Sequence, residues 1–223
     1  MQYEILFSPS YSLAKISLAQ GEAIVAESGA MVGMSEGVEI ETKAEGGILK
    51  SLGRAVLGGE SFFLNTFTAQ RQGEIMIAPT LPGDIFAVQL ANQTMYVQSG
   101  SFLACTPGIE INTKWGGAKT FFSSEGLFLL ELKGTGTIWI SSYGAIHEIN
   151  LNSGEIFKVD TGHMVSFDAS VQYKVNKVGG WKSTFLSGEG LICELTGPGK
   201  ITLQTRSEQS LISWIIPKLP KRE

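Results

Sequence analysis

The 223 residues suffice for a sizeable core, and 43% hydrophobic against 17% charged content predicts a soluble globular protein and excludes a disordered chain. A formal net charge of −4 withholds the overall attraction to polyanions that a dedicated nucleic-acid binder carries. Two cysteines, Cys105 and Cys193, without a spaced Cys/His set, leave no disulfide framework and no zinc site.

The amino terminus, Met1-Gln2-Tyr3-Glu4, lacks a basic stretch followed by an apolar one, and no apolar run approaches a membrane span, so the expected location is the cytoplasm. Leu13-Ala14-Lys15-Ile16-Ser17-Leu18 alternates with period two and predicts a strand. A Gly21-Glu22 turn leads to a second strand ending at Ser28-Gly29, and Val38 to Thr42 reads as another. Between Gly46-Gly47 and Gly58-Gly59, apolar residues at 48, 49, 52, 55 and 56 follow a helical spacing and predict a short amphipathic helix or mobile loop around Leu52. Glu60 then leads the apolar run Ser61-Phe62-Phe63-Leu64, and Ile75-Met76-Ile77 closes the unit.

The same series returns twice. Ile85 to Leu90 and Ile146 to Leu151 reopen it, with Asn92-Gln93 and Gly154-Glu155 at the turn. Ser28-Gly29-Ala30-Met31-Val32 is echoed by Ser99-Gly100-Ser101-Phe102-Leu103 and Thr161-Gly162-His163-Met164-Val165. The Gly-Gly pairs recur at 116–117 and 179–180, and the leading glutamate at Glu125 and Glu189, 65 and then 64 residues on. Strands 137–140 and 200–203 close the later copies. With Val38 to Thr42 echoed at 109–113 and 171–175, these blocks in one order at near-constant spacing predict an all-β protein of three tandem repeats, about 12–83, 84–144 and 145–206, forming one cooperative domain over 1–223. Gly at 27 of 223 residues fits many tight turns between short strands.

In the second and third copies the loop equivalent to the insertion carries Trp115, Phe121 and Phe122, then Trp181 and Phe185. Apolar side chains on long loops need a surface to cover, either the repeat's own core or an interface. A tail, 207–223, follows the last repeat. Its apolar run Leu211-Ile212-Ser213-Trp214-Ile215-Ile216 is broken by Pro217 and Pro220 and flanked by Lys218, Lys221 and Arg222. Docking of the tail on the body or a neighbouring subunit is favoured over contact with a membrane surface.

Several of these blocks resemble a known family. Gly-Ala-Met-Val at 29–32, Gly-Gly-Glu-Ser-Phe-Phe-Leu-Asn-Thr-Phe at 58–67, Pro-Gly-Asp-Ile at 82–85, Glu-Gly-Leu-Phe-Leu at 125–129 and Asp-Thr-Gly-His-Met-Val at 160–165 are joined by Thr-Gly-Pro-Gly at 196–199 and Gln204-Thr205-Arg206-Ser207. Together they resemble the altered-inheritance-of-mitochondria family, also catalogued as a bacterial family of unknown function. The resemblance runs from about Ser12 to Leu219. It implies a fold similar to the tryptophan-RNA-binding attenuation protein, with three attenuator-like units of double-stranded β-helix or sandwich type, and no catalytic residues to carry over. Mitochondrial members are associated with inner-membrane organisation; without a targeting leader, this chain fits the bacterial branch.

Chemistry-bearing residues are few. His147 stands where the other copies have Ala14 and Phe86. His163 follows Asp160-Thr161-Gly162, its counterparts being Ala30 and Ser101, and no Gly-x-Ser-x-Gly elbow accompanies it. A role at a turn or interface is favoured over catalysis by His163 with Asp160. Glu60, Glu125 and Glu189 would converge on a hard cation if the repeats share a pseudo-threefold axis, but an acid beside glycine more commonly accepts backbone N–H bonds. No histidine lies in register with them, which disfavours a transition-metal site. Neither a phosphate loop nor a dinucleotide fingerprint is present, so no cofactor is expected. Lys50 with Arg54, Lys114 with Trp115 and Lys177 with Trp181 supply some basic material for single-stranded RNA, without a Lys-aromatic pair common to all copies. The expectation is a non-catalytic scaffold or protein-binding module, peripheral to membranes if the tail touches one. It self-associates, with a trimer favoured, and its contact candidates are Leu52, Trp115, Trp181, Trp214 and His163.

Overall fold

Alternation in the sequence becomes alternation of burial. The computed structural model describes residues 1–42, 63–113, 128–177 and 191–220. In β2 (Leu13–Leu18), Ala14, Ile16 and Leu18 are buried while Ser17 faces water. β1 (Gln2–Leu6) lies antiparallel beside it. β3 (Ala23–Glu27), β4 (Met31–Met34), β5 (Val38–Thr42), β6 (Leu64–Ala69) and β7 (Gly73–Ile77) complete the first third of the chain. Their pairings form two groups: β1-β2-β7-β4, and β3-β6-β5.

In the second third, two of the expected strand breaks do not occur. β8 (Ile85–Gln98) runs for 14 residues through Asn92-Gln93, and β11 (Leu129–Ser141) for 13. Both bend rather than stop. Asn92 takes a positive φ of 55° and its N–H donates to Thr135 Oγ1 at 3.0 Å, opposite a register shift between Gly134 and Thr135. Gly134 has φ 137°, and a Cβ there would meet the Gly108 carbonyl oxygen at 2.2 Å, so only glycine fits this bend. β9 (Phe102–Cys105) and β10 (Ile109–Thr113) pair with the two halves of β11.

β12 (Ile146–Leu151), β13 (Ile156–Asp160), β14 (Met164–Asp168), β15 (Gln172–Lys177), β16 (Leu191–Thr196) and β17 (Gly199–Gln204) form the last third. They pair as β12-β17-β14 and β13-β16-β15. The protein is all-β, in antiparallel sheets, with one α-helix among the described residues, α1 (Glu208–Ile215).

Two joints stitch the thirds together. β3 pairs with β9 through Val25↔Cys105 and Ala26↔Ala104. β8 pairs with β14 through Ser166↔Val97, Phe167↔Tyr96 and Asp168↔Met95. Side chains follow the backbone across these joints. Trp139 of β11 is fully buried in a cluster with Ile16, Phe67 and Ile75 of the first third, and the Tyr3 ring meets it edge-on at 5.5 Å. Phe167 of the last third packs on Tyr96 of the second at 5.2 Å and on Tyr173 at 5.3 Å.

Both cysteines lie in this apolar interior. Cys105 and Cys193 are free and buried, and burial pushes each thiol up to about 12, so both remain protonated and inert at neutral pH.

Candidate interaction surface

β4, β9 and β14 occupy the same place in their thirds, each following a Ser/Thr-Gly turn and carrying apolar side chains. All four residues of β9 are buried, and so are Met164, Val165, Ser166 and Phe167 of β14. β4 differs. Met31, Val32 and Met34 are exposed, Val32 to 57%. The cause is topological: β9 and β14 each have a strand on both sides, whereas among the described residues β4 pairs with β7 alone and ends its sheet. β13 is the complementary case. Its counterparts β3 and β8 hold the joints, while among the described residues β13 pairs only with β16, leaving Ile156 54% and Phe157 37% exposed. Apolar sheet edges of this kind are ready templates for another strand.

The tail supplies a third apolar area. Ser207 Oγ caps α1 by accepting from the Ser210 N–H at 3.4 Å, and Glu208 sits favourably in the first turn. No residue of the helix is buried, and Trp214 is 62% exposed with Lys218 Nζ 4.6 Å over its ring. Docking on the body, one of the two sites expected for the tail, is therefore not what the structure shows, because the short helix leaves the last strand with its apolar side chains turned to solvent. No helix among the described residues is long and apolar enough to cross a membrane.

His163 lies at the foot of that helix. It belongs to a 3-10 turn, Thr161–His163, whose entry is capped by Asp160 Oδ1 accepting from the Gly162 N–H at 2.8 Å. Its ring Nδ1 lies 2.8 Å from the Gln204 carbonyl oxygen; a carbonyl only accepts, so Nδ1 carries the proton. The Gln204 side chain reciprocates, with Nε2 donating to the Gly162 carbonyl at 2.8 Å and Oε1 accepting from the Tyr143 N–H at 2.8 Å. A Cβ on Gly162 would strike Ser207 Oγ at 2.6 Å, so this turn abuts the helix cap. The structure thus brings His163, Asp160 and the base of the Trp214 helix together, in hydrogen bonds that hold a turn. His147 is exposed on β12.

Leu52, Trp115 and Trp181 lie outside the described residues, as do Glu60, Glu125 and Glu189. Among the described residues no group of three or more His, Cys, Asp or Glu side chains gathers to hold a metal ion.

Two further features carried little sequence signal. A cleft of about 440 Å³ opens beside the β8–β14 joint, with Phe86, Val88 and Met95 along its wall. Its charged groups are engaged within the chain: Asp168 Oδ2 accepts from the Lys200 N–H at 2.8 Å, and Lys200 Nζ pairs with Glu148 at 3.0 Å. The other is Glu27, at the end of β3, which burial pushes up to about 7. An acid just before the repeated Ser-Gly was the available hint. What desolvates it is the neighbouring structure.

The mitochondrial biogenesis AIM24 family model matches residues 3–206. The chain belongs to that family. An uncharacterised protein of Streptococcus pyogenes serotype M6, M6_Spy0233, is 27% identical over 228 residues, covering 99% of this chain and 92% of its own. The crystal structure of protein SPYM3_0169 from Streptococcus pyogenes superposes with a TM-score of 0.83 at 25% identity, covering 98% of this chain and 99% of that one. The superposition takes in nearly the whole all-β chain, exposed edges and tail included.

Proposed function

We propose that this AIM24-family protein is a non-catalytic scaffold, built from three like β units, that associates with copies of itself and offers its tail helix to protein partners. The observation that carries this reading is the distribution of exposed apolar side chains. Met31, Val32 and Met34 are exposed on the β4 edge, Ile156 and Phe157 on the β13 edge, and Trp214, Ile216 and Leu219 on the tail, while Phe7 and Tyr11 make a further exposed apolar place between β1 and β2. The equivalent pairing pattern in each third supports the three-unit description: an outer pair of strands flanks the closing strand, and an inner pair flanks the one before it. The histidine-bearing turn supports a structural role, since its polar atoms bond to one another and to Gln204 of β17.

Sedimentation velocity across a range of protein concentrations tests the proposal. A discrete species larger than one chain is the expected result. A single-chain mass at every concentration would overturn it.

A further inference from the structure

We infer that copies of this chain join head to tail, the β13 edge of one copy pairing antiparallel with the β4 edge of the next, in the register used at the two joints inside the chain. The inference rests on the scaffold reading and names the contact that builds it.

The internal joints follow one rule. At each, the strand following a unit's opening strand pairs with the strand following the Ser/Thr-Gly turn of the next unit: β3 with β9, and the second half of β8 with β14. Applied once more, the rule requires a partner for β13, the equivalent of β3 in the last unit. It also requires one for β4, the equivalent of β9 in the first. Neither finds it among the described residues, where β13 pairs only with β16 and β4 only with β7. The chain therefore ends in two different edges that complement each other. One copy cannot join its own kind edge for identical edge under this rule, so the contact is heterologous and continues until a ring closes.

The register follows from residue correspondences. β9 and β14 each contain a bulge in the same place, skipping Leu103 and Val165, and β4 skips Val32. Ala104, Ser166 and Gly33 are then equivalent, as are Cys105, Phe167 and Met34. Across the joints Ala104 faces Ala26 and Ser166 faces Val97, while Cys105 faces Val25 and Phe167 faces Tyr96. On β13 the equivalents of these partners are Val159 and Lys158, placed by their pairing with Cys193 and Glu194 of β16. Gly33 of one copy thus faces Val159 of the next, and Met34 faces Lys158.

Burial fits the same assignment. Leu103 and Val165 are both fully buried at their joints, whereas Val32 is exposed. Ile24 and Met95 are buried, whereas their counterpart Phe157 is half-exposed. These β4 and β13 positions have kept the apolar character of a joint without having one. Joining the strands would also merge the four-stranded and three-stranded end groups into one continuous sheet, as the internal joints do for theirs.

Oxidative cross-linking of the full chain tests the inference. Met34→Cys and Lys158→Cys are made as separate proteins; the native Cys105 and Cys193 are buried and do not compete. Directly opposed residues place their Cβ atoms about 4.5–5.5 Å apart, close enough for a disulfide after small adjustment. Mixed in equal amounts and oxidised, the two variants are expected to give a covalent species of doubled mass. Either variant alone is expected to give none. Thermal unfolding of each variant under reducing conditions, matching the parent, confirms that the fold is intact. An oligomeric parent whose mixed variants do not cross-link would overturn the head-to-tail contact and leave the scaffold reading standing. Dimers formed by one variant alone would overturn it in favour of like-with-like pairing. A parent that sediments as a single chain would remove both.

Discussion

Val165 and Val32 are the same residue type, each in the strand that follows a Ser/Thr-Gly pair, yet one is fully buried and the other 57% exposed. The strands differ in what lies beyond them: β14 has β8 on its far side, and among the described residues β4 has no strand there. Burial in a sheet is thus a property of neighbours as much as of side chains, and an apolar edge equal in character to a buried one marks where a neighbour belongs.

Core substitution sharpens this contrast most. Phe167→Ala at the β8–β14 joint is expected to cost ~3–5 kcal/mol, because the ring is buried against Tyr96 and Tyr173. Met34→Ala, at the equivalent position on the open edge, should cost less than ~1 kcal/mol in the dissociated chain. Denaturant unfolding at low and high protein concentration measures both. Assembly through β4 makes only the second value rise with concentration. Equal costs at low concentration would mean that β4 is already covered in the single chain.

A second contrast sets Glu27, at the end of the joined strand β3, against Asp160, at the end of β13. Asp160 caps a turn with its carboxylate, whereas Glu27 is desolvated and raised from its usual 4.5 to about 7. Between those two values the folded chain retains a proton that the unfolded chain has released, so this contribution to stability declines as pH rises through that window. Glu27→Gln is therefore expected to stabilise the protein by ~1–3 kcal/mol above pH ~8 and to have little effect below pH ~4. Melting temperatures across that range test it, and a pH-independent difference between the two proteins would show that Glu27 is not held by burial.

The smallest effect is expected at the tail. Trp214→Ser removes a large ring from a helix with no buried residue, and its unfolding free energy should stay within ~0.5 kcal/mol of the parent. A greater loss, read from denaturant unfolding of the dissociated chain, would mean that the body holds the helix after all.

Strand positions were legible because half-buried sheets impose a period of two on the chain, as Ala14, Ile16 and Leu18 show against Ser17. The turns were legible where glycine or an Asn takes a special φ. Yet the sequence-based expectation of separate strands around Asn92-Gln93 failed, because Thr135 and the Gly134 bulge let the backbone bend while remaining paired. The role of the Asp160–His163 turn was partly readable: an acid before Thr-Gly suggests a cap, but that Gln204 and Ser207 come to meet it depends on residues some forty positions away. Leu52, Trp115 and Trp181, singled out for apolar character on long loops, lie outside the described residues.

By itself, then, the sequence determined the all-β class, the spans of several strands such as 13–18, 38–42 and 146–151, and the apolar character of the tail, since each is written in local spacing and side-chain type. Only the tertiary structure decided which apolar strands are covered. Met31-Val32-Gly33-Met34 and Phe102-Leu103-Ala104-Cys105 are alike as sequence, and long-range pairing buries the second against β3 while leaving the first at the end of its sheet. Hydrophobicity states what a strand needs; contacts between residues distant in the chain determine whether it is met.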